Sequence, residues 1–299
     1  MRSDDCNFIA PERAQDSTDL RQAAQNLISP ALWNDWHVIA DDEMLRQRES
    51  FSTRLLGHRI EVRHDETAFL DGTHIPSKRR YGYLWACPGT PSRDIVQLKL
   101  AEENDRWIVA TGAIAVAVSG LRAIENFLDL AHLAFVHSGI LGHEPLTEVR
   151  RYGVEIGEDG IWARDCKFHQ PLASPTAREA IDVDYEYCIP RPHIIYLHKT
   201  NPLQPLRRDL IALFVQMVSE QSCIAHMLAA YLKEGLDVAT SREFAQLIFA
   251  QDKPILENQI PKRLPLRPGA EISIPADVAS SVYRRWLSEL GITYGAIPA

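Results

Sequence analysis

No apolar run in this chain approaches the roughly 18 residues a helix needs to cross a bilayer, so no membrane partner is expected. Clustered basic charge is missing as well. The 32 Lys and Arg are outnumbered by 40 Asp and Glu, and they form no dense run. A formal charge of −8 without a concentrated basic surface argues against nucleic acid, whose phosphates need one. Cysteine is sparse: Cys6, Cys87, Cys166, Cys188 and Cys223 are odd in number and scattered. That usage suits reduced thiols in a cytoplasmic protein better than a disulfide framework. The opening MRSDDCNFIAPERAQDSTDL lacks the apolar core of a signal peptide, which agrees with a cytoplasmic location. There is no internal repeat and no low-complexity segment. What is present is ordinary for a globular chain, with 45% hydrophobic and 24% charged residues over 299 positions, enough for a sizeable core.

Residues 1–29 lack periodicity and read as an N-terminal arm. Residues 30–94 carry short strand-like runs, RLLGHRIEVRHDETAF around a glycine and RRYGYLWACPG closed by Pro-Gly. From 95 to 299 the character changes twice. A helix is predicted from Leu121 to Val136, stopped by Ser138-Gly139. Strand-like stretches follow: VRRYGVEIG, GIWARDCKFH, DVDYEYCIP, HIIYLHKT and DLIALFVQMVS. Thr240 to Glu243 has capping-box spacing and predicts a second helix that ends before Pro254. A last helix is predicted from about Ala276 to Leu290. Helix, strands, then helices describes an α+β fold, an antiparallel sheet with helices against one face.

The first helix carries the chemistry. Phe127, Leu128, Leu130, Leu133, Phe135 and Val136 occupy nearly every direction around its axis, the pattern of a buried helix. Asn126, Asp129, His132 and His137 nevertheless sit in it, and buried polar groups are costly unless paired. A metal gives all four one reason, because imidazole nitrogens face a cation and a carboxylate holds a histidine from behind. On an ideal helix, residues five apart point about 140° away from each other. His132 and His137 therefore converge only if the helix loosens or ends between them. A core histidine bonded to a backbone carbonyl is the commoner fate of one such residue, and four polar groups together outweigh it.

Two histidines need a third ligand, and two imidazoles plus one carboxylate is the set used by Fe(II) oxygenases. Asp252 is attractive because it follows the apolar run FAQLIFA near an expected helix break. Glu257 and Glu148 are the fallbacks, and spacing alone does not decide among them.

The run ENFLDLAHLAFVH, Glu125 to His137, resembles the N-x-x-D-x-x-H-x-x-x-x-H signature of the catalytic domain of Rieske non-haem iron oxygenases. FAQDKPILENQ, Phe249 to Gln259, resembles the segment that supplies that family's third iron ligand. The resemblance implies a helix-grip (START-like) domain and mononuclear Fe(II) held by His132, His137 and Asp252. It also implies a bridging role for Asp129 toward a neighbouring subunit's Rieske cluster, and a place near the iron for Asn126. Gln251, where an acid is common, departs from the pattern beside the ligand. The family writes its [2Fe–2S] ligands as C-x-H and C-x-x-H ahead of the iron helix. Only Cys6 and Cys87 precede that helix here, and neither begins such a motif. Cys166-Lys-Phe-His169 has the second spacing but lies after the helix, and is read as chance. Residues 30–94 thus resemble a truncated Rieske domain without cluster ligands, and no [2Fe–2S] cluster is expected in this chain.

NDWH at 34–37, SGLRAIENFLD at 119–129, EPLTEV at 144–149, PKRLP at 261–265 and YRRWL at 283–287 resemble the Rieske-lacking N-demethylase subunits of bacterial methylxanthine (caffeine) degradation. That subgroup implies O₂-dependent oxidation of a methyl group on a small organic substrate. It further implies electrons from a separate Rieske-containing reductase fed by NAD(P)H, a related oxygenase or accessory subunit, and a trimer-based oligomer. Rival readings are an iron-free scaffold subunit, a hydrophobic-ligand module, or O-demethylation or ring hydroxylation of an aromatic substrate. His37, His58, His64 and His74 read as surface or structural residues, Trp33 and Trp36 as packing, and Arg284-Arg285 as a solvated helix-face pair.

Overall fold

The computed structural model describes residues 27–175, 177–233 and 237–299, so most of the arm expected over 1–29 lies outside the described residues. Two short helices, α1 (Pro30–Trp33) and α2 (Asp42–Gln47), flank strand β1 (His37–Asp41). Six further short strands follow: β2 (Ser50–Leu55), β3 (His58–Arg63), β4 (Ala68–Leu70), β5 (Thr73–Ile75), β6 (Ser77–Arg80) and β7 (Tyr83–Ala86). They form one sheet in the order β2-β3-β4-β5 and another in the order β1-β7-β6.

The centre of the molecule is a seven-stranded antiparallel sheet, ordered β8-β14-β13-β12-β11-β10-β9. Its strands are β8 (Arg106–Val116), β9 (Gly153–Gly157), β10 (Gly160–Gln170), β11 (Ile181–Arg191), β12 (Ile194–Thr200), β13 (Arg208–Ser219) and β14 (Ser222–Leu232). Further elements outside the sheets are helices α3 (Gly120–Leu128), α4 (Leu133–Val136), α5 (Val238–Glu257) and α6 (Val278–Glu289). The α+β class and the helix-grip arrangement expected from the sequence are what the chain adopts.

Both faces of this sheet are covered, and the alternation of side chains along each strand sorts them. Tyr185, Tyr187, Leu197, Ile211 and Met227 line a cavity under the helices. Their neighbours Tyr196, Leu210, Ala212, Phe214 and Leu228 point the other way, into a second core with Trp36, Val38, Tyr83 and Trp85. Trp33 and Trp36 are packing residues, as expected. The Tyr83 hydroxyl donates to the Met227 carbonyl at 2.6 Å, and Gln216 Nε2 donates to Thr53 Oγ1 and the Arg54 carbonyl, each at 2.8 Å. These bonds bind the N-terminal strands to the large sheet. Among the described residues no helix is long and apolar enough to span a membrane.

The five expected strands are present, but β8 and β14 went unread in the sequence. α5 begins earlier than expected, at Val238, because the Asp237 carboxylate accepts the Thr240 N–H at 2.9 Å and so takes the capping role assigned to Thr240. It also runs through Pro254 to Glu257. A proline there forfeits one backbone bond. Burial of Ala245, Phe249, Asp252 and Leu256 along one side keeps the helix in place.

Candidate metal centre

The single helix expected from Leu121 to Val136 is two helices with a break. Ser119 Oγ caps α3 through the Leu121 N–H at 3.3 Å. At the far end Asp129 adopts extended backbone, φ −71° and ψ 115°, as the C-cap. Its side chain explains the break. Asp129 Oδ1 accepts the Ala131 N–H at 2.8 Å, a local turn that competes with continued helix. α4 is then a single turn with His132 as its N-cap and His137 as its C-cap, the latter at φ −105° and ψ 35°. Gly139, at φ +80°, takes the left-handed conformation that completes the stop. The histidines thus bracket one short turn, and the departure of His137 from helical backbone lets its ring swing toward His132.

Their rings converge on Asp252. His132 Nε2 lies 3.1 Å from His137 Nε2, and Asp252 Oδ1 lies 3.3 Å from the first and 3.1 Å from the second. His137 is 1% exposed and Asp252 8%, and Asp252 Oδ1 has no hydrogen-bond partner among the described residues. With both imidazoles neutral and protonated at Nδ1, three lone-pair-bearing atoms face one another. A cation between them satisfies all three. Cis ligands at about 2.1 Å on an octahedral ion stand about 3 Å apart, so the spacing fits a facial two-histidine, one-carboxylate set. Asp252 comes from the middle of α5, not from a helix break.

Electrostatics bind the cluster together without a metal. Burial pushes the Asp252 carboxyl up, but His132 and His137 outweigh it and hold it down at about 2. Burial opposes charge on His132 too, yet the Asp129 and Asp252 carboxylates raise it to about 9. Asp129 Oδ2 stands 3.5 Å from His132 Nδ1, an ion-pair distance beyond an ordinary hydrogen bond. Asn126 lines the cavity with His132, His137 and Asp252, and also an outer cleft that holds Asp129.

Sequence reasoning missed one partner. Gln251 Oε1 accepts from His137 Nδ1 at 2.8 Å. With the proton held at Nδ1, Nε2 keeps its lone pair toward Asp252 and His132. The position noted only as departing from an acid is the one that orients the second histidine. Its helical adjacency to Asp252 was the available signal.

The remaining candidates lie elsewhere. Glu257 accepts the Ala117 N–H at 3.0 Å and pairs with Lys253, and Glu148 is exposed on a separate surface cleft. The Cys166 thiol is pushed up to about 12 by burial, while His169 pairs with Asp182 at 2.9 Å. His37 is a buried structural residue stacked on His193, with ring centres 4.0 Å apart. Arg284 is not solvated: it joins Glu125, Arg122 and Glu271 in an ion-pair cluster that ties α6 to α3.

The model of the vanillate O-demethylase oxygenase C-terminal domain family matches residues 116–291. The probable methylxanthine N7-demethylase NdmC of Pseudomonas sp. (strain TJI-51) is 43% identical over 269 residues, covering 88% of this chain and 95% of the relative. The methylxanthine N1-demethylase NdmA of Pseudomonas putida is 24% identical over 235 residues, covering 71% of this chain and 59% of its own length. The structure of Pseudomonas putida CBB5 NdmA with caffeine superposes with a TM-score of 0.72 at 18% identity, covering 86% of this chain and 90% of that one. That likeness concerns the fold. A family model spanning more than half of the chain, and a relative this similar along nearly its whole length, place the protein in the Rieske non-haem iron oxygenase family, among the relatives of the methylxanthine N-demethylases.

Proposed function

We propose that this chain is the catalytic subunit of an oxidative N-demethylase acting on a methylxanthine-like substrate, with ferrous iron held by His132, His137 and Asp252. The observation that carries the reading is the convergence of three donor atoms within 3.3 Å, His137 and Asp252 buried and His132 partly so, in a chain 43% identical to a probable methylxanthine N7-demethylase. Bound iron would supply O₂-dependent oxidation of an N-methyl C–H, giving an N-hydroxymethyl group that collapses to formaldehyde and the N–H product. The chain's own residues do the rest. Gln251 and Asp129 orient the two imidazoles, Gln251 holding the His137 proton at Nδ1. Phe127, Tyr187, Leu197, Ile211 and Phe249 wall a mainly apolar cavity beside the three donors, suited to an uncharged ring. Asn126 is proposed as a polar contact at the junction of that cavity and the outer cleft.

Oxidation by O₂ in this way needs two external electrons. Cys6 and Cys87 are the only cysteines ahead of the iron helix, and neither stands in a C-x-H motif. The proposed source is therefore a separate Rieske-containing reductase drawing on NAD(P)H, with Asp129 as the link toward it. A related oxygenase or accessory subunit in a trimer-based assembly, and residues 30–94 as a Rieske-like segment stripped of its cluster, belong to the same proposal. The purified chain is tested for iron, acid-labile sulfide and formaldehyde release from 7-methylxanthine in the presence of such a reductase. About one iron per chain without sulfide, lost in His132→Ala, is expected. No iron after anaerobic reconstitution refutes the enzyme and leaves the scaffold.

A further inference from the structure

The sheet wall of the cavity carries a polar row. Tyr185 on β11 is paired with Lys199 on β12, and Lys199 with Asp209 on β13. All three line the same cavity as His132, His137 and Asp252. The parallel row two residues along, Tyr187–Leu197–Ile211, is apolar apart from one hydroxyl. The metal candidates thus approach from the helices and Lys199 from the sheet.

Lys199 is 4% exposed. Burying an ammonium is costly unless its charge is balanced and its three donors are used. The hydrogen-bond acceptor it has is the Ala173 carbonyl, and its ammonium sits 5.7 Å from the centre of the Tyr185 ring. Asp209 is the carboxylate whose charge reaches it, but that group is already engaged. Its two oxygens accept from Asn201 Nδ2 at 2.9 and 3.0 Å, and Arg106 stands 3.6 Å away. Among the described residues no carboxylate reaches ion-pair distance of Lys199, so it has donors to spare, on a cavity wall where every neighbour on the next row packs.

We propose that Lys199 is the specificity-determining contact of this cavity, donating to a carbonyl oxygen on the edge of a planar dioxopurine and so setting which N-methyl group faces the His132–His137–Asp252 end. The assignment rests on the N-demethylation reading above and deepens it. Burial lowers the lysine to about 8, which leaves it mostly charged at neutral pH. A hydrogen bond from a charged donor in a dry site favours a matched ligand by about 10- to 100-fold. A carboxylate would satisfy the same ammonium, and ligand choice separates the two.

Binding is measured by calorimetry on the iron-loaded chain with three probes. These are 7-methylxanthine, 7-methylpurine (same ring and methyl, no carbonyl oxygen) and 4-methoxybenzoate. Lys199→Met is expected to weaken 7-methylxanthine about 10- to 100-fold and to leave 7-methylpurine within about twofold. Lys199→Gln, which keeps one neutral donor, is expected to fall between them and carries the test if the Met variant unfolds. Wild-type affinity for 7-methylxanthine in both variants, or equal loss of both purines, overturns the Lys199 assignment while leaving the demethylase intact. A wild-type chain that binds 4-methoxybenzoate through Lys199 but neither purine overturns the dioxopurine and the N-demethylation reading together.

Discussion

Replacing Gln251 by Leu tests whether the structure identifies the true support of His137. The Gln251 Oε1 to His137 Nδ1 bond is 2.8 Å long, and the imidazole is 1% exposed. Water cannot take over the lost acceptor there. Leu removes a neutral hydrogen bond worth about 1 kcal/mol and strands a buried N–H at a further cost of about 1–3 kcal/mol. It also frees the ring to adopt the other tautomer, which would turn a protonated nitrogen toward the metal position. Supporting partners of metal-bound histidines are worth about 10- to 100-fold in affinity, or about 1.4–2.8 kcal/mol, in line with that estimate. Iron affinity is measured anaerobically by competition with a ferrous chelator. Gln251→Leu should bind iron about 10- to 100-fold more weakly with its far-UV circular dichroism unchanged. Gln251→Glu keeps the acceptor and adds charge, and should bind iron at least as tightly as the wild type. Unchanged affinity in the Leu variant refutes the role, as does an equal loss in the Glu variant.

Asp129→Asn retains an acceptor for the Ala131 N–H and removes only the charge facing His132, so it should keep stoichiometric iron but lose turnover with its reductase. Single-turnover assays with chemically reduced partner check this, and undiminished rates would eliminate the bridging role. In the metal-free chain His132 is raised from 6.5 to about 9, so its stabilising contribution is complete below about pH 6.5 and vanishes as pH climbs through 9. The melting temperature of the metal-free protein should therefore fall across that interval. Iron uptake at pH 7 should release a proton, because the metal takes the neutral imidazole. A flat melting profile and no proton release would show that the carboxylates do not hold His132 charged.

Much of the site was legible because its residue types are improbable together: Asp129, His132 and His137 stand in an otherwise apolar segment, and no packing argument accounts for them. Asp252 stood out beside the apolar run FAQLIFA, but family resemblance was needed to prefer it over Glu257 and Glu148, since a lone acid near Pro254 looks like any last-turn residue. The loosening expected between His132 and His137 is only the helix end at His137; the break ahead of both, at Asp129, was not foreseen, because it arises from a side chain bonding its own backbone two residues on. β8 was missed because RWIVATGAIAV mixes small residues with exposed Trp107 and Ile108, so its pattern is set by what covers it. Lys199 lies in HIIYLHKT, a strand the sequence marks, but nothing in that run shows that its face lines a cavity.

The break at Asp129 puts two of the three donors on one short turn, and the third comes from α5; Gln251, beside that third donor, is 114 positions beyond His137. An ion seated among them would behave as a removable cross-link closing a loop of that length. It would act on the folded state alone, adding about 1.4 kcal/mol of stability for each tenfold excess of free iron over its dissociation constant. Iron supply would then govern how firmly α5 stays docked over the cavity.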